Sequence, residues 1–146
     1  TRHGGAAVES ILVNWSAGDT IATLTWSGAG TTGGSLNDGD YSLTVDHTKL
    51  TDLALNALDG DAGTAGLQDY LFGANEVDKF FRLFGDANGN RIVNTIDYLA
   101  FRQSYGKSQL DPGFNSMFDY NGDGVINTID YLAFRQRYGL AFPFIP

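Results

Sequence analysis

Cysteine is absent from the chain, so neither a disulfide framework nor a thiolate metal site can hold it together. A small module without cysteine often relies on another staple, such as a bound metal. Basic residues are few as well: 9 Lys and Arg against 17 Asp and Glu give a net charge of −8. That balance disfavours nucleic acid, whose phosphates would be repelled, and suits cations. No apolar run approaches the roughly 18 residues that span a bilayer. No secretory signal is visible. The opening "TRHGG" lacks an initiating Met and reads as an excised or processed piece, with any export signal upstream. Nothing assembles a nucleophile, a base and an orienting group. Asp38 and Asp40 form a carboxylate pair, but glycine-rich turn chemistry accounts for them better than acid–base catalysis. His3 and His47 stand alone without metal spacing. The expectation is that this chain is not an enzyme.

What is present falls into two regions. The 146 residues fit one ordinary domain or two small ones, and 19 glycines point to many turns. Residues 8 to 46 read as strands. "YSLTV" (41–45) alternates Tyr41, Leu43 and Val45 with Ser42 and Thr44, the period of a half-buried strand. "TIATLTW" (20–26) is rich in β-branched residues, and "SILVNW" (10–15) sets Ile11, Val13 and Trp15 on one face. "SAGD" and "GAGTTGGSLNDGD" between them carry the glycine and Asn-Asp-Gly clusters of hairpin turns. "LTDLALNALDGDAGTAG" follows and ends as a loop. Its Asp59 and Asp61 could hold a cation, although an ordinary acidic loop explains them better. "VDKFFRLFGD" (77–86) reads as a strand or extended join with core phenylalanines.

From about Phe80 the logic becomes helical, and the chain repeats itself. "DANGNRIVNTIDYLAFRQSYG" (86–106) and "DYNGDGVINTIDYLAFRQRYG" (119–139) align without gaps, with 15 of 21 positions identical. In each copy an Asn precedes the helix with Asp three residues on, a capping-box arrangement at Asn94/Asp97 and Asn127/Asp130. Gly106 and Gly139 sit where a left-handed C-cap glycine belongs. Between the copies, Asp111 and Pro112 could start one short helical turn.

The second copy places side-chain oxygens at loop positions 1, 3 and 5 (Asp119, Asn121, Asp123), glycine at 6 (Gly124) and a carboxylate at 12 (Asp130). Position 7, Val125, offers its carbonyl. This is the donor pattern of a calcium loop, in which a hard cation collects six to eight oxygens. A polar turn before a capped helix is the plain alternative, but two such loops on two identical helices favour calcium. Magnesium fits less well, because it prefers fewer protein ligands and more water. Position 12 is Asp rather than the longer Glu, and no entering helix precedes the second loop.

A loop with only its exiting helix, duplicated, with the spacing D-x-N-x-D-G-x-x-N-x-x-D, resembles the dockerin family over roughly residues 84 to 139. The resemblance implies two units packed antiparallel about a pseudo-twofold axis. It implies two calcium ions, one held by Asp86, Asn88, Asn90, Asp97 and the carbonyl of Ile92. The other would be held by Asp119, Asn121, Asp123, Asp130 and the carbonyl of Val125. It also implies a cohesin-like protein partner, bound through Thr95, Ile96, Arg102 and Gln103 or through Thr128, Ile129, Arg135 and Gln136. Positions 10 and 11 are Thr-Ile here, where the family often has two hydroxyls. The strand before "LTDLALNALDGD" resembles the last strands of bacterial immunoglobulin-like modules, with the earlier strands missing or replaced by another surface.

The expected architecture is therefore α+β. Residues 1–79 form an antiparallel, immunoglobulin-like β region, and residues 80–146 a dockerin-like calcium-binding domain. On the helical wheel Ile96, Leu99 and Ala100 share one side, with Tyr98, Phe101 and Tyr105 nearly opposite. A helix pair needs only one of these faces, so the other needs a cover: the β region, the tail "LAFPFIP" or a partner. The expected function is calcium-dependent attachment to a partner protein at the C-terminus of a secreted or cell-surface bacterial protein. The alternative is a calcium-stabilised C-terminal cap with no partner.

Overall fold

The computed structural model describes residues 10–15, 21–60, 66–73, 75, 77–78 and 80–143. His3, Asp61, the "SAGD" turn and the last three residues of the tail lie outside them. Among the described residues the class is α+β, with short antiparallel strands first and two helices after.

The β-branched and aromatic runs pair as expected. β1 (Ser10–Trp15) lies antiparallel to β2 (Ala22–Ser27), with Ile11 opposite Trp26 and Val13 opposite Leu24. Ile11, Leu12 and Val13 are all exposed, so neither face of β1 is covered among the described residues. β3 (Thr31–Thr32) and β4 (Ser35–Leu36) make a tight hairpin. Its two turn residues, Gly33 and Gly34, have φ of 57° and 77°. Positive φ at both central positions is the turn that matches strand twist, and glycine adopts it without strain.

β5 (Gly39–Asp40) and β6 (Leu43–Val45) run almost continuously but find different partners. β6 pairs with β7 (Tyr70–Phe72), whereas β5 pairs with β8 (Phe81–Arg82), with Asp40 opposite Phe81. The Tyr41 amide donates to the Phe80 carbonyl at 2.8 Å. Register steps between the two pairings at Gly73 (φ 81°), where an added Cβ would lie 2.2 Å from the Tyr41 carbonyl. β8 runs directly into the first repeat, so the β region is hydrogen-bonded to the entrance of the helical part.

The helices are α1 (Thr95–Ser104) and α2 (Thr128–Arg137), both with complete capping boxes. Gly106 and Gly139 take the left-handed conformation just beyond them. Asp111 and Pro112 open a turn closed by the Phe114 amide, which donates to the Asp111 carbonyl at 3.2 Å, but Gly113 at φ 88° keeps it from being helical. The helical turn follows, a 3₁₀ turn at Ser116–Phe118 capped by Asn115. Asp111 Oδ2 accepts from the Ser108 amide and hydroxyl, both at 2.8 Å.

The two units cross-brace each other. Gly139 N–H donates to Val93 and Val93 N–H to Leu140, while Gly106 N–H donates to Ile126 and Ile126 N–H to Lys107. Each helix end is thus tied to the loop of the other copy. The core beneath is Leu83, Phe84, Val93, Phe101, Phe118, Ile126, Ala133 and Phe134. Phe101 and Phe134, equivalent in the repeat, stack at 4.9 Å between centroids. Burial of each is worth about 1.5–3 kcal/mol. The helix pair therefore packs through Phe101 and Phe134 with Ala100 and Ala133 beside them, and Ile96, Leu99, Ile129 and Leu132 are the aliphatic side chains left exposed.

Candidate metal loops and helix face

The two loops share one set of backbone-to-side-chain hydrogen bonds. Asp86 Oδ1 accepts from the amides of Gly89 and Asn90, and Oδ2 accepts from Arg91. Asp119 does the same for Gly122, Asp123 and Gly124. At position 3, Asn88 and Asn121 accept from the amides two residues on. At position 5, Asn90 and Asp123 accept from Ile92 and Val125. At position 12, Asp97 accepts from Ala87 and Asn94, and Asp130 from Tyr120 and Asn127. Asp97 and Asp130 are completely buried. Bonds from the Asn121 amide and the Val125 N–H hold the Asp123 carboxyl below the usual aspartate range.

The donor set suits a hard cation, since it consists of oxygens and the turn at position 6 has the required hand. Arg91 has φ 68° and Gly124 φ 81°. Asn90 stands where the second loop has Asp123, so the first loop gathers one carboxylate fewer. The tightest acidic grouping lies elsewhere. Among the described residues, Asp46, His47 and Asp69 have ligand atoms within 4.8 Å of one another. His47 Nδ1 lies 2.7 Å from Asp69 Oδ1, and Asp46 caps the 3₁₀ turn His47–Lys49 by accepting from the Thr48 amide. The sequence leaves His47 alone because Asp69 joins it only through the β6–β7 pairing.

The expected partner residues divide. Ile96 and Ile129 are 63% and 53% exposed on the outer helix face. Arg102, Gln103, Arg135 and Gln136 are exposed beside them. Thr95 and Thr128 are exposed, but their hydroxyls already meet Tyr138 and Tyr105 at 2.8 and 3.2 Å. Leu99 and Leu132, 52% and 50% exposed, extend the same face one turn further. The helical wheel groups Leu99 with Ile96, but only the structure leaves that side uncovered.

Asp38 and Asp40 have a role the turn reading misses. Asp38 accepts the Phe84 amide at 2.7 Å and forms an ion pair with Arg137 in the last turn of α2. Burial would lower the Arg137 pKa, but its bonds to Asp38 and Tyr120 outweigh that and raise it. Arg137 also stacks over Tyr120 at 5.0 Å and Phe84 at 5.6 Å. Asp40, 1% exposed, pairs with Arg91 at 2.5 Å. The hairpin turn meets the second loop as well, where a Cβ on Gly33 would lie 2.5 Å from the Tyr120 carbonyl. The β region thus grips both loops.

Fold and loops together define a class: a duplicated loop–helix module with paired oxygen-donor loops and an open aliphatic face. Residues 84–137 match the family of dockerin type I domains. A solved structure described as a type II cohesin–dockerin domain from Bacteroides cellolosolvens is also similar. It shares 34% identity over 44% of this chain and 98% of that chain, with a TM-score of 0.38. No curated protein matches the chain. The chain belongs to the dockerin family, a family of non-catalytic modules, through these residues.

Proposed function

We propose that the loop–helix pair, residues 80–146, is a calcium-dependent attachment domain that docks on a cohesin protein. The observation that carries this reading is the set of backbone-to-carboxylate and backbone-to-amide hydrogen bonds that both loops share, each loop leading into a helix with exposed Ile and Leu side chains. One ion would be held by Asp86, Asn88, Asn90, Asp97 and the Ile92 carbonyl. The other would be held by Asp119, Asn121, Asp123, Asp130 and the Val125 carbonyl. Oxygen-only donors favour calcium over softer metals. Contact would run through Thr95, Ile96, Arg102 and Gln103, or through Thr128, Ile129, Arg135 and Gln136, with Leu99 or Leu132 at the centre.

Because the copies are near-identical and twofold-related, one partner could dock in either of two orientations. The similar solved structure carries a cohesin in its description, which supports that partner class. The family further supports a secreted or cell-surface place in a bacterium, and no helix among the described residues is long and apolar enough to cross a membrane. Residues 1–79 are proposed as the closing part of an immunoglobulin-like module, supported by the alternation at Tyr41–Val45 and the antiparallel β6–β7 pair.

A second reading, a calcium-stabilised cap with no partner, is favoured by the two ion pairs that clamp the β region onto the loops. Retention on a panel of immobilised cohesin domains, in calcium and in chelator, separates the two. Retention lost in chelator supports attachment, and no retention in calcium supports the cap.

A further inference from the structure

Position 6 of the first loop breaks the pattern of its twin. Gly124 occupies it in the second loop, whereas the first has Arg91 in the same left-handed conformation, at φ 68°. A residue with a Cβ is disfavoured there, so something must hold it. The side chain shows what does. Its Nη2 lies 2.5 Å from Asp40 Oδ1, and the Asp40 side chain is 0% exposed. The guanidinium sits 4.2 Å from the centroid of Phe81, the register partner of Asp40 across β5 and β8. Nη1 donates to the Phe142 carbonyl at 3.4 Å, and the backbone closes the grip: Phe142 N–H donates to the Arg91 carbonyl at 2.7 Å. The Arg91 amide donates to Asp86 Oδ2 at 2.7 Å. Asp86 is the first expected calcium ligand, one hydrogen bond from the braced residue.

We infer that Asp40 is a positioning residue for the first calcium loop. It anchors Arg91 so that a side-chain-bearing residue keeps the turn glycine supplies elsewhere. The inference rests on the proposed calcium reading and adds a coupling to it. The β5–β8 ladder and a bound ion would both favour the same turn, so each would favour the other reciprocally. The second loop needs no such brace, because Gly124 adopts the turn unaided.

The test is a residue-resolved NMR calcium titration of the full chain, reading Gly89 for the first loop and Gly122 and Gly124 for the second. Asp40→Asn should move the first midpoint about tenfold higher, the factor that 1.4 kcal/mol is worth, and leave the second in place. A general loss of structure would move both. Arg91→Ala and Arg91→Gly keep the test decisive if Asp40→Asn does not fold, since both remove the guanidinium and only one restores glycine. Arg91→Ala should weaken the first loop and Arg91→Gly should rescue it. Asp40→Asn added to Arg91→Gly should change nothing further. A wild-type chain that binds at both loops, with first midpoints unchanged in Asp40→Asn and in Arg91→Ala, overturns the brace alone. No response of either loop to millimolar calcium overturns the calcium reading, and the brace with it.

Discussion

Changing Asn90 to Asp should raise the calcium affinity of the first loop toward the value expected of the second. The side chains of Asn90 and Asp123 do the same thing, accepting the amide two residues on at 3.0 and 2.9 Å. A carboxylate at position 90 therefore needs no backbone movement. Its attraction to a divalent ion about 2.4 Å away is about 3.5 kcal/mol even at the dielectric constant of water. Repulsion from Asp86 and Asp97, about 1 kcal/mol each at about 4 Å, opposes it. That repulsion is present with and without the ion, so the gain in affinity is at most about 3.5 kcal/mol, roughly a few hundredfold, and the net gain in stability of the calcium-loaded chain is about 1.5 kcal/mol. The variant should therefore melt below wild type in chelator and above it in saturating calcium. Thermal unfolding in both conditions and the calcium midpoint at Gly89 read the two effects. An unchanged or weaker first midpoint, with the second loop undisturbed, would refute ligand charge as the control. In the unaltered chain, Gly124 should respond at lower calcium than Gly89.

The remaining expectations concern the core and the loop carboxylates. Phe101→Ala removes a ring that is 1% exposed, edge-on to Phe118 and packed against Phe134. It should cost about 3–5 kcal/mol, and a loss under about 1 kcal/mol by denaturant unfolding would show that the aromatic face does not carry the helix pair. Acid should destabilise the chain through Asp111 and Asp123. Hydrogen bonds from the Ser108 amide and hydroxyl lower the folded pKa of Asp111, and the Asn121 amide first lowers that of Asp123. Their stabilisation is complete above the unfolded aspartate value of about 3.9 and is lost as pH falls through the lower folded values. Melting temperature in calcium-free buffer should hold down to about pH 5 and drop below about pH 4, less steeply in Asp111→Asn. A drop of equal steepness would remove Asp111 from that account.

Local patterns in the sequence carried most of the helical half. Capping boxes and C-terminal glycines are set by neighbours within one turn, and both take the expected geometry. The helical wheel separated an aliphatic from an aromatic face but could not say which one packs, because that depends on the second helix. Long-range partners were the hard part. Asp38 and Asp40 read as turn residues because Arg137 and Arg91 lie 99 and 51 residues away. His47 and Asp69 meet only once β6 and β7 pair. The turn opened by Asp111 and Pro112 is not helical because Gly113 takes a positive φ, and the 3₁₀ turn forms beyond it at Ser116–Phe118. Arg91 looks like a defect in a calcium loop until Asp40 and Phe81 stand beside it.

The outer helix face in the presence of calcium carries the central claim most directly. Isothermal titration of the chain with a cohesin domain that retains it should be run in calcium and in chelator. Wild type should be compared with a variant in which Ile96, Leu99, Ile129 and Leu132 are all Asp, and with one altered only at Ile96 and Leu99. The account predicts binding in calcium, none in chelator and none for the fourfold variant. The twofold variant should retain binding through the second copy. Equal affinity with and without calcium, or full binding by a folded fourfold variant, would contradict it.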